Sequence, residues 1–152
     1  MLHCCLLVAR DAYPIPSPIP DASLSSSPIQ DASPASSPLS NSKAKFCLLT
    51  YWSVYIYNFI PGTITVHPQS ADDDLGNRQL AYGNHTDWSF CLQTFLKTRF
   101  YAHFYWNSRT AFFDVYNYGL GESYCTNGKE LIREQTCYWM VTHDGFYVML
   151  KE

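Results

Sequence analysis

At 152 residues and 17.4 kDa, with 47% hydrophobic and 16% aromatic residues, the chain suffices for one ordinary domain and is too short for two sizeable ones. The formal charge is -3, and the ten Lys and Arg form no run denser than Lys43 with Lys45 or Lys97 with Arg99, which speaks against a nucleic-acid partner. No apolar stretch approaches the roughly 20 residues that cross a bilayer, so no membrane span is expected.

The first element, "LHCCLLVA" (2–9), has the length of a signal-peptide core. It lacks a basic n-region, and Arg10 interrupts the small-residue cleavage pattern near Ala9 or Ala12, so residues 1–12 read as a weak signal segment. Residues 13–50 follow as a low-complexity linker. A ten-residue period is visible there: "SPIPDASLSS" from Ser17, "SPIQDASPAS" from Ser27, then "SPLSNS" from Ser37. With seven of the nine prolines before Lys43 and no Lys or Arg between Arg10 and Lys43, this Pro/Ser-rich tract lacks the apolar surface to offset its ordering entropy and is expected to be disordered.

From Tyr51 onward the language changes. Residues 51–152 hold 23 of the 25 aromatics, and apolar residues recur with period two. "YWSVYIYNF" (51–59) reads as a strand, Pro61-Gly62 as a turn, and "TITVH" (63–67) as the returning strand of a hairpin. Further strands are expected at "TDWSFC" (86–91), "TRFYAHFYW" (98–106), "AFFDVYNY" (111–118), "CYWMV" (137–141) and "FYVML" (146–150), the last two joined through His143-Asp144-Gly145. Only "GKELIREQ" (128–135) is expected to form a helical turn or two. Short strands with regular turn signals predict an all-β fold, a small antiparallel β-sandwich of about seven or eight strands.

The acidic run in "HPQSADDDLG" (67–76) is the most conspicuous chemical feature. An EF-hand needs carboxylates at alternate positions and a distal Glu, whereas Asp72, Asp73 and Asp74 are contiguous with Gly76 close behind. A glycosidase pair with Asp87 or Glu122 would need a convergence that spacing alone cannot test. The plainest reading is a solvated turn with one Asp bonding nearby backbone amides. His67, His85, His103 and His143 form no H-E-x-x-H and no serine sits in G-x-S-x-G, so nothing supports catalysis, and no metal or other cofactor is expected. Asn84-His85-Thr86 is an N-glycosylation sequon in the turn between Tyr82 and Trp88. Of six cysteines, Cys4 and Cys5 lie in the weak leader; Cys47, Cys91, Cys125 and Cys137 allow three complete pairings, with no C-x-x-C to indicate zinc.

Read in order, the domain gives a strand ending in Asn58, "TVH", "DDDLG" (72–76), "WSF" (88–90), Phe95-x-x-Thr98-x-Phe100, "HFYW" (103–106), "FDVY" (113–116) and "CYWMVTHDGFY" (137–147). This series, from about Val54 to Leu150, resembles the plant self-incompatibility S-protein family. The resemblance implies a secreted, extracellular, non-enzymatic β-sandwich, akin to pistil ligands that trigger rejection of self pollen, with a cell-surface receptor protein as partner and a monomeric state. Where the family usually carries cysteines, this chain has Pro68 and Ala102; Cys125 and Cys137 match the other two, and Cys91 is extra. If the lost pair were bonded to each other, a Cys125–Cys137 bridge survives with Cys91 free, which is the pairing expected; if each was bonded to a retained cysteine, both bridges are gone. Partner binding is expected at two polar loops, one containing Asp72, Asp73 and Asp74, the other running from Gly119 to Glu134 with Glu122, Lys129, Glu130 and Arg133. The alternative is a small extracellular hydrolase or carbohydrate-binding module using the Asp72 to Asp74 turn.

Overall fold

The computed structural model describes residues 5–9, 13–14, 47, 50–92, 98–125 and 134–150. The chain divides into two units, residues 1–15 with 47–152, and residues 16–46. The second unit, and with it nearly all of the Pro/Ser tract expected to be disordered, lies outside the described residues.

Ten strands are described: β1 (Cys5–Ala9), β2 (Tyr13–Pro14), β3 (Tyr51–Asn58), β4 (Ile64–Gln69), β5 (Arg78–Leu80), β6 (His85–Cys91), β7 (Phe100–Trp106), β8 (Arg109–Tyr116), β9 (Glu134–Thr142) and β10 (Gly145–Met149). They form two five-stranded sheets, ordered β1-β10-β9-β3-β6 and β2-β8-β7-β4-β5. Eight of the ten lie after Tyr51, so the all-β sandwich is the fold. One pairing departs from the antiparallel expectation: β3 runs parallel to β9, with Tyr51 opposite Glu134 and Asn58 opposite Val141. β1, within the stretch read as a leader, pairs with β10, Cys5 opposite Met149.

The period-two pattern becomes the core. Trp52, Val54 and Ile56 of β3, Val66 of β4, Phe104 of β7 and Trp139 and Val141 of β9 all face inward and are buried. Rings from the two sheets interdigitate: Trp52 meets Tyr116 at 5.0 Å, Phe104 meets Phe146 at 4.9 Å and Phe113 meets Trp139 at 5.3 Å between centroids. Trp139 also donates its Nε1 proton across the sandwich to the Val115 carbonyl at 2.9 Å, so this core indole leaves no orphan donor. Along β8 the alternation slips where Phe100 faces Tyr116 but Tyr101 faces Asp114; this bulge turns both Val115 and Tyr116 inward.

Two expectations need correction. β3 and β4 are not a hairpin, because β3 pairs with β6 and β9 while β4 pairs with β5 and β7. Pro61-Gly62 lies instead in an arch that carries the chain between the sheets, held by buried Asn58. Its Oδ1 accepts from the Ile60 amide at 2.7 Å, and its Nδ2 donates to the carbonyls of Gly62 (3.1 Å) and Leu80 (2.9 Å). The helix expected over 128–135 is contradicted at its end, where Glu134 and Gln135 open β9; residues 128–133 lie outside the described residues. Helical turns occur earlier, at Tyr118–Leu120 and Gly121–Cys125, started by Asn117, whose Oδ1 accepts from the Leu120 amide at 2.9 Å.

Strand register sorts the connections onto two ends. Gln69 lies opposite Tyr101, Phe100 opposite Tyr116, and Tyr51 opposite both Cys91 and Glu134. The chain therefore leaves β4, β6 and β8, and enters β7 and β9, at one end, the loop end. At the opposite end lie the arch after Asn58, the Ala81–Asn84 turn, and the tight turns at Asn107-Ser108 and His143-Asp144. Asn107 reverses its chain in the left-handed region, φ 51°, a conformation asparagine tolerates.

Candidate functional site

The acidic run occupies the loop between β4 and β5. Ser70 organises its first half: the Ser70 Oγ accepts from the amides of Asp72 (3.2 Å) and Asp73 (2.9 Å), and the Ser70 amide donates to the Asp73 carbonyl (2.8 Å). Asp74 organises the second. One of its oxygens, Oδ1, accepts from the Gly76 amide at 2.9 Å and from His67 Nε2 at 2.6 Å, while Oδ2 accepts from Gln69 Nε2 at 3.2 Å. The His67 hydrogen bond, then that from Gly76, hold the Asp74 carboxyl below its ordinary range. Gly76 turns with φ 73°, the Leu75 amide returns to the Pro68 carbonyl at 3.1 Å, and Tyr101 Oη reaches the Ser70 carbonyl at 3.4 Å.

The three carboxylates thus differ. Asp74 is an internal strut of the loop, while Asp72 and Asp73 are exposed, and among the described residues their carboxylates have no hydrogen-bond or ion-pair partner. Two adjacent negative charges are left facing solvent by a turn that their own amides help to close.

Beside this loop, at the start of β7, Arg99 holds Asp114 of β8 through Nε to both carboxylate oxygens (2.8 and 2.9 Å) and through Nη2 at 2.8 Å. Hydrogen bonding and charge from Asp114 raise the Arg99 pKa further. Asp114 also accepts from Asn117 Nδ2 at 3.1 Å, so the ion pair and the first helical turn share one anchor. The helical turns then carry Glu122, exposed, at the same end. Lys129, Glu130 and Arg133 lie outside the described residues.

Both disulfides sit at this end as well. Cys125 is joined to Cys137, tying the helical turns to β9. Cys91, expected to be free, is joined to Cys47, tying the chain that leads into β3 to the end of β6. The sequence offered three complete pairings, and only the register of β3 with β6 brings Cys47 beside Cys91. Gly121 is tightly placed below: a Cβ there would meet Tyr116 at 2.9 Å and Trp52 at 3.0 Å.

No described geometry gathers carboxylates for hydrolysis. Asp87 lies midway along β6, opposite Tyr55 on the outer face of its sheet, and not at the loop end. Among the described residues there is no group of three His, Cys, Asp or Glu side chains placed to hold a metal ion. His103 packs at 4.2 Å against exposed Phe112 on the outer face of β7 and β8, with its pKa lowered by burial and then by His67. Sequence reasoning missed His67, Arg99, Tyr101 and Asp114 as parts of this end. Their outward period-two positions were visible, but their meeting depends on strand register, which no local pattern encodes.

The family model described as plant self-incompatibility protein S1 matches residues 53–152. Among curated proteins of Arabidopsis thaliana, S-protein homolog 2 is 31% identical over 83 residues, covering 55% of this chain and 49% of its own length. S-protein homolog 29 is 30% identical over 83 residues (55% of each chain), and S-protein homolog 3 is 42% identical over 57 (36% and 37%). The chain spans about half the length of the first two of these relatives, and no solved structure matches it. The matched span opens inside β3 and takes in the acidic loop, the Arg99–Asp114 pair and the Cys125–Cys137 bridge. With a family model covering most of β3 and every strand from β4 to β10, this chain belongs to the plant self-incompatibility protein S1 family.

Proposed function

We propose that this chain is a secreted, non-enzymatic recognition protein, comparable to the self-incompatibility ligands its family is named for, and that it engages a cell-surface receptor protein through its loop end. The observation that carries the reading is the convergence there of the exposed Asp72 and Asp73, the Arg99–Asp114 pair and the Glu122 turn on a base stapled by two disulfides. Loops on a rigid scaffold are where binding residues concentrate, and disulfides belong to oxidising compartments, which supports export. The opposite end closes in short turns, at Ala81–Asn84, Asn107-Ser108 and His143-Asp144.

Exposed charge acts mainly on encounter and orientation. Replacing Asp72 and Asp73 together by Lys is therefore expected to slow association with plant cell membranes by about tenfold at low salt. The melting temperature should stay within about 2 °C, since neither carboxylate supports the loop. Labelled protein, a membrane-binding time course and a melting curve make the test. An unchanged association rate in the folded variant overturns the assignment of recognition to this end.

A further inference from the structure

We propose that Asn84 carries an N-linked glycan whose first sugar packs on the exposed rings of Tyr82 and Phe59, covering an aromatic patch at the end of the sandwich opposite the recognition loops. The inference rests on the reading of the chain as secreted and deepens it. Asn84 closes the turn between β5 and β6, where its amide donates to the Ala81 carbonyl at 3.0 Å and its carbonyl accepts from the Asn58 amide at 2.9 Å. Gly83, at φ 79°, makes the reversal. The backbone is fixed on both sides while the residue itself is exposed, so a large substituent on the side-chain amide displaces nothing.

What lies beside that amide points to the occupant. Tyr82, two residues earlier, is 61% exposed, the most exposed large hydrophobic residue described, and stands edge-on to Phe59 at 6.3 Å. Phe59 in turn stacks on Tyr57 at 6.4 Å, and Tyr57 meets His85 at 4.9 Å. A ring's negative face attracts the polarised C–H groups of a pyranose, and such a surface left bare is an aggregation liability. A sugar tethered at Asn84 meets these rings at high effective concentration, so even a weak stacking contact is populated.

The third residue of the sequon sets the order of events. Thr86 is buried, and its hydroxyl accepts from Arg78 Nη1 at 2.5 Å. Transfer must precede folding of β6, on the extended chain. The donor is a polyisoprenyl-pyrophosphate-linked oligosaccharide of the secretory compartment. The Asn84 amide nitrogen forms a bond to the anomeric carbon, the bond from that carbon to the phosphate oxygen breaks, the lipid pyrophosphate leaves with the electron pair, and one amide proton passes to base.

The full chain, secreted from plant cells both with its own N-terminus and behind a strong added leader, provides the test. Intact and peptide mass spectrometry should find one glycan at Asn84, absent from the Asn84→Gln variant. The glycosylated protein should melt about 4 °C or more above that variant. In a Tyr82→Ser background the same comparison should give less than half that gain. An exported protein with unmodified Asn84 overturns the site, and an undiminished gain in the Tyr82→Ser background overturns the packing. Retention of the chain in the cell under its own N-terminus, with a glycan present behind the added leader, counts against the secretion reading and supports the site.

Discussion

At Asp74 a single carboxylate is gripped from three sides, by the Gly76 amide, by His67 and by Gln69, while its neighbours Asp72 and Asp73 lend only their backbones to the turn. Stability should follow that division. Its pKa is held below the ordinary 3.8, so its contribution is complete above that value and is lost as pH falls through the lower folded one. Asp74→Ala is therefore expected to melt below the parent at neutral pH, with the two curves converging as pH falls through the lowered folded value. Replacement of Asp72 and Asp73 by Ala should leave the curve in place. A melting series in pH for both variants checks this; equal losses in the two would mean that the loop is held by charge alone.

At the scale of elements, Asn58 joins two connections that are distant in sequence, the arch from β3 to β4 and the end of β5. Asn58→Leu keeps the volume and strands the Ile60 amide and the Leu80 carbonyl away from water, and takes the Gly62 carbonyl's partner as well. At roughly 1–3 kcal/mol for each orphaned group, the loss should reach about 3 kcal/mol or more, read as a lower urea midpoint at constant slope. This residue also explains what local pattern could and could not disclose. β3, β7 and β9 are long enough for alternation to declare them, whereas β5, three residues opening with Arg78 and Gln79, shows no period at all. Pro61-Gly62 announced a reversal but not its partner, because what sends β4 to the other sheet is the side chain of Asn58 and the register of strands far away. In the site, the acidic turn was legible down to one Asp bonding backbone amides. Which of the three it would be depended on His67, seven residues back and one strand over.

Register also settles the two cysteines that the family usually has and this chain lacks. Pro68 and Ala102 are directly opposite in the β4–β7 ladder, both buried on the core side. Cysteines there would be bonding neighbours, so of the two arrangements the resemblance leaves open the geometry fits the one in which the missing pair was bonded to each other, and Cys125 is joined to Cys137. Pro68→Cys with Ala102→Cys should close a third disulfide on oxidation and raise stability by about 4 kcal/mol in the chain-entropy model. Peptide mass spectrometry and a denaturant melt with and without reductant report it; two free thiols in the folded, oxidised protein would refute the neighbour relation.

The sandwich has two unlike ends, one of bridged polar loops, the other of tight turns around Asn58, and the proposed receptor contact and glycan fall at opposite ends. The parallel pairing of β3 with β9 bears on how such a molecule comes into being. β3 is the first strand of the domain after the linker and β9 nearly the last, yet they are neighbours at the centre of one sheet. Contacts so distant in sequence make folding slow, because the loop between them must close before the pairing rewards it. During synthesis the pair of β3 and β6 lacks its sheet neighbour β9 until residues 134–142 emerge, and for that interval the packing that buries Thr86 is incomplete, which extends the time in which the Asn84 turn is in reach of an enzyme that reads extended chains. The topology sets a clock: the proposed glycan at Asn84 has to be attached before the hairpin of β9 and β10 completes the sheet around Thr86.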